Sequence, residues 1–241
     1  MSQRYPGGFI TQNPTAPSNV TARGIWTLDQ AVQNIRAGTW PLQPPAVLVI
    51  GQSYQGGYYA GQISTSGNGV ANFNLVIAPV SSGQDISETF KTTNTGTAGT
   101  SSVIDGPTNS SNMNNASHPA AQFCEGLSIG GYSDWYMPAK NELEVCYYNL
   151  KPTTDTNNTN SGTNTNAVPS RGSNYTSGTP AQTSASDFKD TGAEDFLTQN
   201  YWSSTEVATY FAWRQNFYNG QQNYAYKTNS VAVRAVRRVA V

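Results

Sequence analysis

Charge is scarce in this chain. Of 241 residues, 11% are Asp, Glu, Lys or Arg, and the formal net charge is -1. No basic field is present to hold a nucleic-acid backbone, and no acidic excess calls for a basic partner. Histidine occurs once, as His118, and cysteine twice, as Cys124 and Cys146, with no CxxC. That is too little for a tetrahedral Cys/His zinc site or a disulfide framework. The cysteines read instead as small buried side chains on two helices, with a single disulfide between them as the alternative. No apolar run approaches the roughly 20 residues that a bilayer span needs. The opening MSQRYPGGFITQN lacks the apolar core of a signal peptide. The chain is therefore expected to be made in a cytoplasm, to insert in no membrane, and to leave by a route such as cell lysis.

What is present is neutral and aromatic. Tyr occurs 14 times and Trp 5 times, among abundant Asn, Thr, Ser and Gly. A surface resting on neutral hydrogen-bonding groups suits binding surfaces and extracellular or virion proteins. Residues 1–25, rich in Gly, Pro and Thr, read as an extended arm. In IWTLDQAVQNIRAGTWP, Thr27 and Gln30 have capping-box spacing, and Leu28, Ala31, Val32 and Ile35 share one apolar face. Gly38 and Pro41 stop this helix. At about three turns it is marginal alone in water, so it must dock on its own domain or on a partner.

After Pro44-Pro45 the pattern changes to strands. AVLVIGQ reads as a buried strand, QGGYYAGQI and NFNLVIAPV as two more, and 81–115 as loop. SHPAAQFCEGL and PAKNELEVCYYNLKP read as helices, with apolar faces Ala120/Phe123/Cys124/Leu127 and Leu143/Cys146/Tyr147/Leu150. Residues 151–199 are poor in apolar side chains, which predicts a functional or mobile insertion. NYWSST reads as a strand, VATYFAWRQNFY-NG-QQNYAYKT as a hairpin with a type I′ turn, and SVAVRAVRRVAV as a closing strand.

Four ordered motifs carry a resemblance: Gly56-Gly57-Tyr58, Gly131 to Leu143 (GYSDWYMPAKNEL), Tyr201 to Ser204 (YWSS) and Val233 to Arg237. Together, over about residues 46–241, they resemble a bacterial and phage domain of the C-type lectin superfamily. It is the type found at the C-terminus of the Legionella collagen-like adhesin, related to the formylglycine-generating-enzyme fold. The stretch GGFITQNPTAPSNVTARGIWTLDQAVQNIRAGTWP resembles an attachment or assembly segment in structural proteins of marine and cyanobacterial tailed phages. The resemblance implies an α+β, C-type-lectin-like fold: two helices on twisted, mostly antiparallel sheets. Residues 1–45 would be a virion-docking arm and short helix; 46–241 would be the lectin-like domain with an insertion at about 151–199.

The DWYMPAKNEL stretch reads as architectural. Trp135 offers roughly 200 Å2 of burial. Asp134 and Glu142 are expected to accept from backbone N–H groups at a helix start. As a glycosidase pair they would need a defined separation. Serine chemistry lacks GxSxG and a base, and the lone His118 reads as a surface residue. The related formylglycine enzymes oxidise through cysteines, but Cys124 and Cys146 have core spacing. The Glu-Pro-Asn, Gln-Pro-Asp and Trp-Asn-Asp motifs of calcium-dependent lectins do not occur. No catalysis, metal or cofactor is expected.

Binding is expected at the C-terminal hairpin. A two-residue turn at Asn219-Gly220 would pair Tyr218 with Gln221, Asn216 with Asn223 and Arg214 with Ala225. Tyr210, Arg214, Asn216, Tyr218, Gln221 and Asn223 would form a recognition face, or an ordinary polar one. Phe211, Trp213, Phe217, Tyr224 and Tyr226 would face the core. Trp26, Leu28, Val32, Ile35 and Trp40 are the expected virion-docking residues. The expected protein is a tail fibre or spike-type adhesin on the surface of a virion, in contact with other virion proteins and a host glycan or outer-membrane protein. The resemblance to phage fibres implies a homotrimer. The alternative is a capsid or tail decoration or assembly protein with no receptor.

Overall fold

The computed structural model describes residues 26–39 and 47–241. The chain divides into two units, Met1–Leu48 and Val49–Val241. In the first, α1 (Leu28–Arg36) forms with the expected capping box: Thr27 Oγ1 accepts from Gln30 N at 3.2 Å and Gln30 Oε1 from Thr27 N at 2.9 Å. Gly38, at φ 68, ends it. Leu28, Val32 and Ile35 are exposed along one side. The arm over 1–25 and Trp40 lie outside the described residues.

The second unit begins with β1 (Ser53–Tyr54), β2 (Gly57–Ile63), β3 (Phe73–Ile77), α2 (Val80–Gly83) and β4 (Gln84–Thr89). Three helices follow: α3 (Gly106–Ser111), α4 (Pro119–Glu125) and α5 (Lys140–Leu150). Then come β5 (Ala167–Val168), a 3-10 turn (Ser186–Phe188) and five closing strands: β6 (Asn200–Ala208), β7 (Phe211–Asn216), β8 (Gln222–Tyr226), β9 (Ser230–Arg234) and β10 (Val236–Ala240). One sheet runs β1-β2-β3-β10, with β5 on β2; the other runs β4-β9-β6-β7-β8. The β6–β9 pairing is parallel and the others are antiparallel. The class is α+β.

Three expectations need correction here. AVLVIGQ is not a buried strand: Val47 is 85% exposed and Val49 60%. The stretch 81–115 is not all loop, since β4 and α3 lie in it. The closing segment is two strands rather than one. Ala235 passes the chain from one sheet to the other, its N–H on Gly83 O and its carbonyl on Ala78 N, both at 2.9 Å.

The insertion, expected to be functional or mobile, is tied into the core. Tyr175, Phe188 and Phe196 are buried in the cluster that holds Leu143, Tyr147 and Leu150 of α5. Its asparagines bond inward: Asn157 Oδ1 accepts from Tyr147 Oη at 2.6 Å, and Asn164 Nδ2 donates to Asn141 O at 2.8 Å. A short amide that donates and accepts can satisfy irregular backbone where no ladder exists. Cys124 and Cys146 are free and buried, as their spacing predicts. A second cluster gathers Trp135, Trp202, Cys124, Ala212, Ala225 and Val233 between α4 and the second sheet.

Candidate functional site

The GYSDWYMPAKNEL stretch joins the terminal arginines. Glu142, the third residue of α5, reaches back to accept from Ala139 N at 2.8 Å. The same carboxylate accepts from Tyr136 Oη at 2.6 Å and from Arg238 Nε at 2.7 Å. Burial pushes its pKa up, and Arg238, Tyr136 and Ala139 N oppose that rise. Asp134 does not cap the helix, contrary to expectation. It takes a fork from Arg237, Nε to Oδ1 at 2.7 Å and Nη2 to Oδ2 at 2.9 Å. Arg237 also lies 3.9 Å over the Tyr132 ring. Arg234 is fully buried; it bonds Glu194 Oε2 at 2.9 Å and Ala78 O at 2.8 Å. Each acid offered as a catalytic pair is thus held by its own guanidinium, which suits a clamp rather than proton transfer.

The YWSST hydroxyls are spent on the frame. Ser203 Oγ donates to Trp213 O at 3.1 Å, Thr205 Oγ1 donates to Ser102 O at 2.8 Å, and Trp202 Nε1 donates to Glu88 O at 2.9 Å.

His118 is buried, not at the surface. Its Nδ1 lies 2.9 Å from Asn115 Oδ1 and its Nε2 2.8 Å from Thr97 Oγ1. The Asn115 oxygen only accepts, so Nδ1 carries the proton and Nε2 accepts from the threonine. Burial, with Lys91 and Lys227 nearby, lowers the pKa to about 4. Lys227 is itself buried and pairs with Glu206. Among the described residues no group of three or more His, Cys, Asp or Glu is placed to hold a metal ion.

The hairpin differs from expectation in register and in face. Arg214 lies opposite Asn223, and Asn216 N donates to Gln221 O at 2.9 Å, so residues 217–220 connect the strands. The Asn219-Gly220 pair is therefore not a two-residue turn. Asn216 Oδ1 accepts from Tyr218 N at 2.8 Å and builds the longer connection. The slip of two preserves parity, so the two expected sets of side chains keep to opposite faces. Of the expected core set, only Phe217 is fully buried. Tyr224 is 53% exposed and Tyr226 51%, with Phe211 and Trp213 partly buried beside them. The face turned inward carries Ala212 and Ala225, which leave room for Trp202 and Phe90.

Five of the six expected binding residues gather near the turn. Arg214 Nε donates to Asn223 Oδ1 at 2.9 Å, and Asn216 Nδ2 to Asn200 Oδ1 at 3.4 Å. Tyr218 and Gln221 are exposed beside them. Tyr210 sits at the other end of the strands, where its carbonyl accepts from Lys227 N. The outward rings Phe211, Trp213, Tyr224 and Tyr226 are the surface that sequence reasoning missed. A signal was available: Ala212 and Ala225 lie opposite the rings in alternation and are small enough to pack on the Trp of YWSST, and the hydroxyls of Tyr224 and Tyr226 favour water or a ligand.

Among curated proteins no relative of this chain was found. Residues 88–237, more than half of the chain, match the family model described as the Lcl C-terminal domain. The matched span runs from the end of β4 to Arg237 and so takes in the Asp134–Arg237 fork, Glu142, the YWSST strand and the hairpin, with Arg238 one residue beyond it; the chain belongs to the Lcl C-terminal domain family.

Proposed function

We propose that this protein is a phage virion component, a tail fibre or spike-type adhesin that meets the host surface through its C-terminal hairpin. One observation carries the reading: Tyr210, Tyr218, Tyr224 and Tyr226 are each about half exposed on a single hairpin. Tyrosine gives large, amphipathic contact area at low entropic cost, and clustering it outward serves recognition. On this reading the domain is C-type-lectin-like and not catalytic, since Asp134 and Glu142 are committed to Arg237 and Arg238. The partner is a host glycan or outer-membrane protein. Contacts are individually weak, and a homotrimer carried in many copies would sum them. Residues 1–45 attach the domain to the particle, with Leu28, Val32 and Ile35 of α1 as the apolar contact.

The test uses purified protein and intact cells of the host. An adhesin binds them, and an excess of it slows phage adsorption. No binding, together with immunogold label on the head or tail shaft, sinks the adhesin reading and assigns a decoration or assembly role.

A further inference from the structure

The outward face of the hairpin is an ordered row of rings. Register sets Trp213 opposite Tyr224 and Phe211 opposite Tyr226. Ring centroids are 6.1 Å apart for Trp213–Tyr224, 5.2 Å for Phe211–Tyr224 and 4.6 Å for Phe211–Tyr226. Each ring rests against another, so the row is set before any ligand arrives, and little side-chain freedom is left to lose on binding. Tyr224 and Tyr226 nevertheless keep about half of their surface open.

Charge decides which ligand suits the row. The ammonium of Lys140 is already engaged 4.4 Å over Trp213. Arg214 lies on the opposite face and donates to Asn223. Lys227 is buried against Glu206. Of these three cations only Lys227 is ion-paired; Lys140 is the one cation over the row and Arg214 points to the other face, so a polyanion meets a single charge there rather than a basic cluster. What remains open is π-face, phenol edge and the exposed Thr209, Thr228 and Asn229 at one end. A pyranose presents a matching pattern: C–H groups on its faces and neutral hydroxyls around its rim.

We infer that the row Trp213–Tyr224–Phe211–Tyr226 is the binding platform of this domain and that its ligand is a neutral saccharide. The inference rests on the adhesin reading and specifies its ligand class and its face.

The test is retention of the full chain on immobilised neutral glycans (glucose, mannose, galactose and N-acetylhexosamine oligosaccharides), with dextran sulfate as the polyanion. At least one neutral glycan retains the protein, and high salt does not release it. Tyr224→Ser and Tyr226→Ser each weaken retention roughly tenfold, whereas Tyr224→Phe, which keeps the ring, binds like the parent. Retention on dextran sulfate alone overturns the inference, as does no neutral binding or equal binding by parent and serine variants. Cell binding is measured in parallel. Cells bound equally by parent and serine variants leave the adhesin reading standing and overturn this one, pointing to a protein receptor or another face. No cell binding, with ring-dependent retention on a neutral glycan, sinks the adhesin reading and keeps the platform.

Discussion

Asp134 and Arg237, 103 positions apart, close a two-bond fork at 2.7 and 2.9 Å, and the neighbouring arginine, Arg238, holds Glu142 at 2.7 Å. The two pairs look equivalent in sequence and differ in burial. Glu142 is fully buried, while the Asp134 side chain is 55% exposed. Glu142→Ala strands Arg238, the Tyr136 hydroxyl and the Ala139 N–H together, and is expected to cost about 3–5 kcal/mol. Asp134→Ala leaves Arg237 its bonds to Gln55 and its place over Tyr132, and is expected to cost about 1 kcal/mol. Urea denaturation with a constant m value measures both, and equal costs would refute the clamp as described.

His118 makes stability depend on pH. The unfolded chain takes up this proton near pH 6.5; the folded chain, with its pKa lowered to about 4, resists it. Between those values the unfolded state binds more protons, so stability is full above pH 6.5 and falls as pH drops towards 4. The loss is expected to reach roughly 1–2 kcal/mol after allowance for screening. His118→Asn should flatten the part of the slope between pH 4 and 6.5 that carboxylates do not supply. An unchanged slope in thermal melts across that range would show that the histidine does not contribute.

Gly220 sits at φ 74, and a Cβ there would overlap the Tyr147 ring. Gly220→Ala meets backbone strain and a fixed aromatic of α5 at once. It is expected to lose about 2–3 kcal/mol, read as a lower urea midpoint. A neutral result would mean that the connection over 217–220 is looser than described.

The polar cluster at the turn is expected to be inert towards folding. Tyr218→Ser should change stability by no more than about 0.5 kcal/mol. If it also leaves host-cell binding unchanged, the Arg214–Asn223 end is an ordinary polar surface; a clear loss would bring that end into the receptor contact.

Much of the frame was legible because its period was strong. The spacing of Leu143, Cys146, Tyr147 and Leu150 gave α5, and that of Thr27 and Gln30 gave the cap of α1. β4 was missed because QDISET is an edge strand with little to bury, and its partner β9 is remote in the chain. The face of the hairpin was misjudged for a different reason. Alternation tells which side chains travel together but not which side the core lies on, and ring size alone points the largest side chains inward. His118 reads as a surface residue in sequence because its partners Thr97 and Phe90 come from another segment. The insertion was hidden because three aromatics spread over many polar residues leave no periodic trace.

That insertion has a bearing on sequence change. Its anchors, Tyr175, Phe188 and Phe196, are shared with the core. Just before Tyr175, Gly172 and Ser173 are exposed, with open space around Gly172. Foreign peptides or affinity handles grafted there should be carried without disturbing the domain, whereas the exposed run 176–179 holds Asn157 through Thr176 O and Ser177 O and should not accept them; deletion of the whole segment would take part of the interior away.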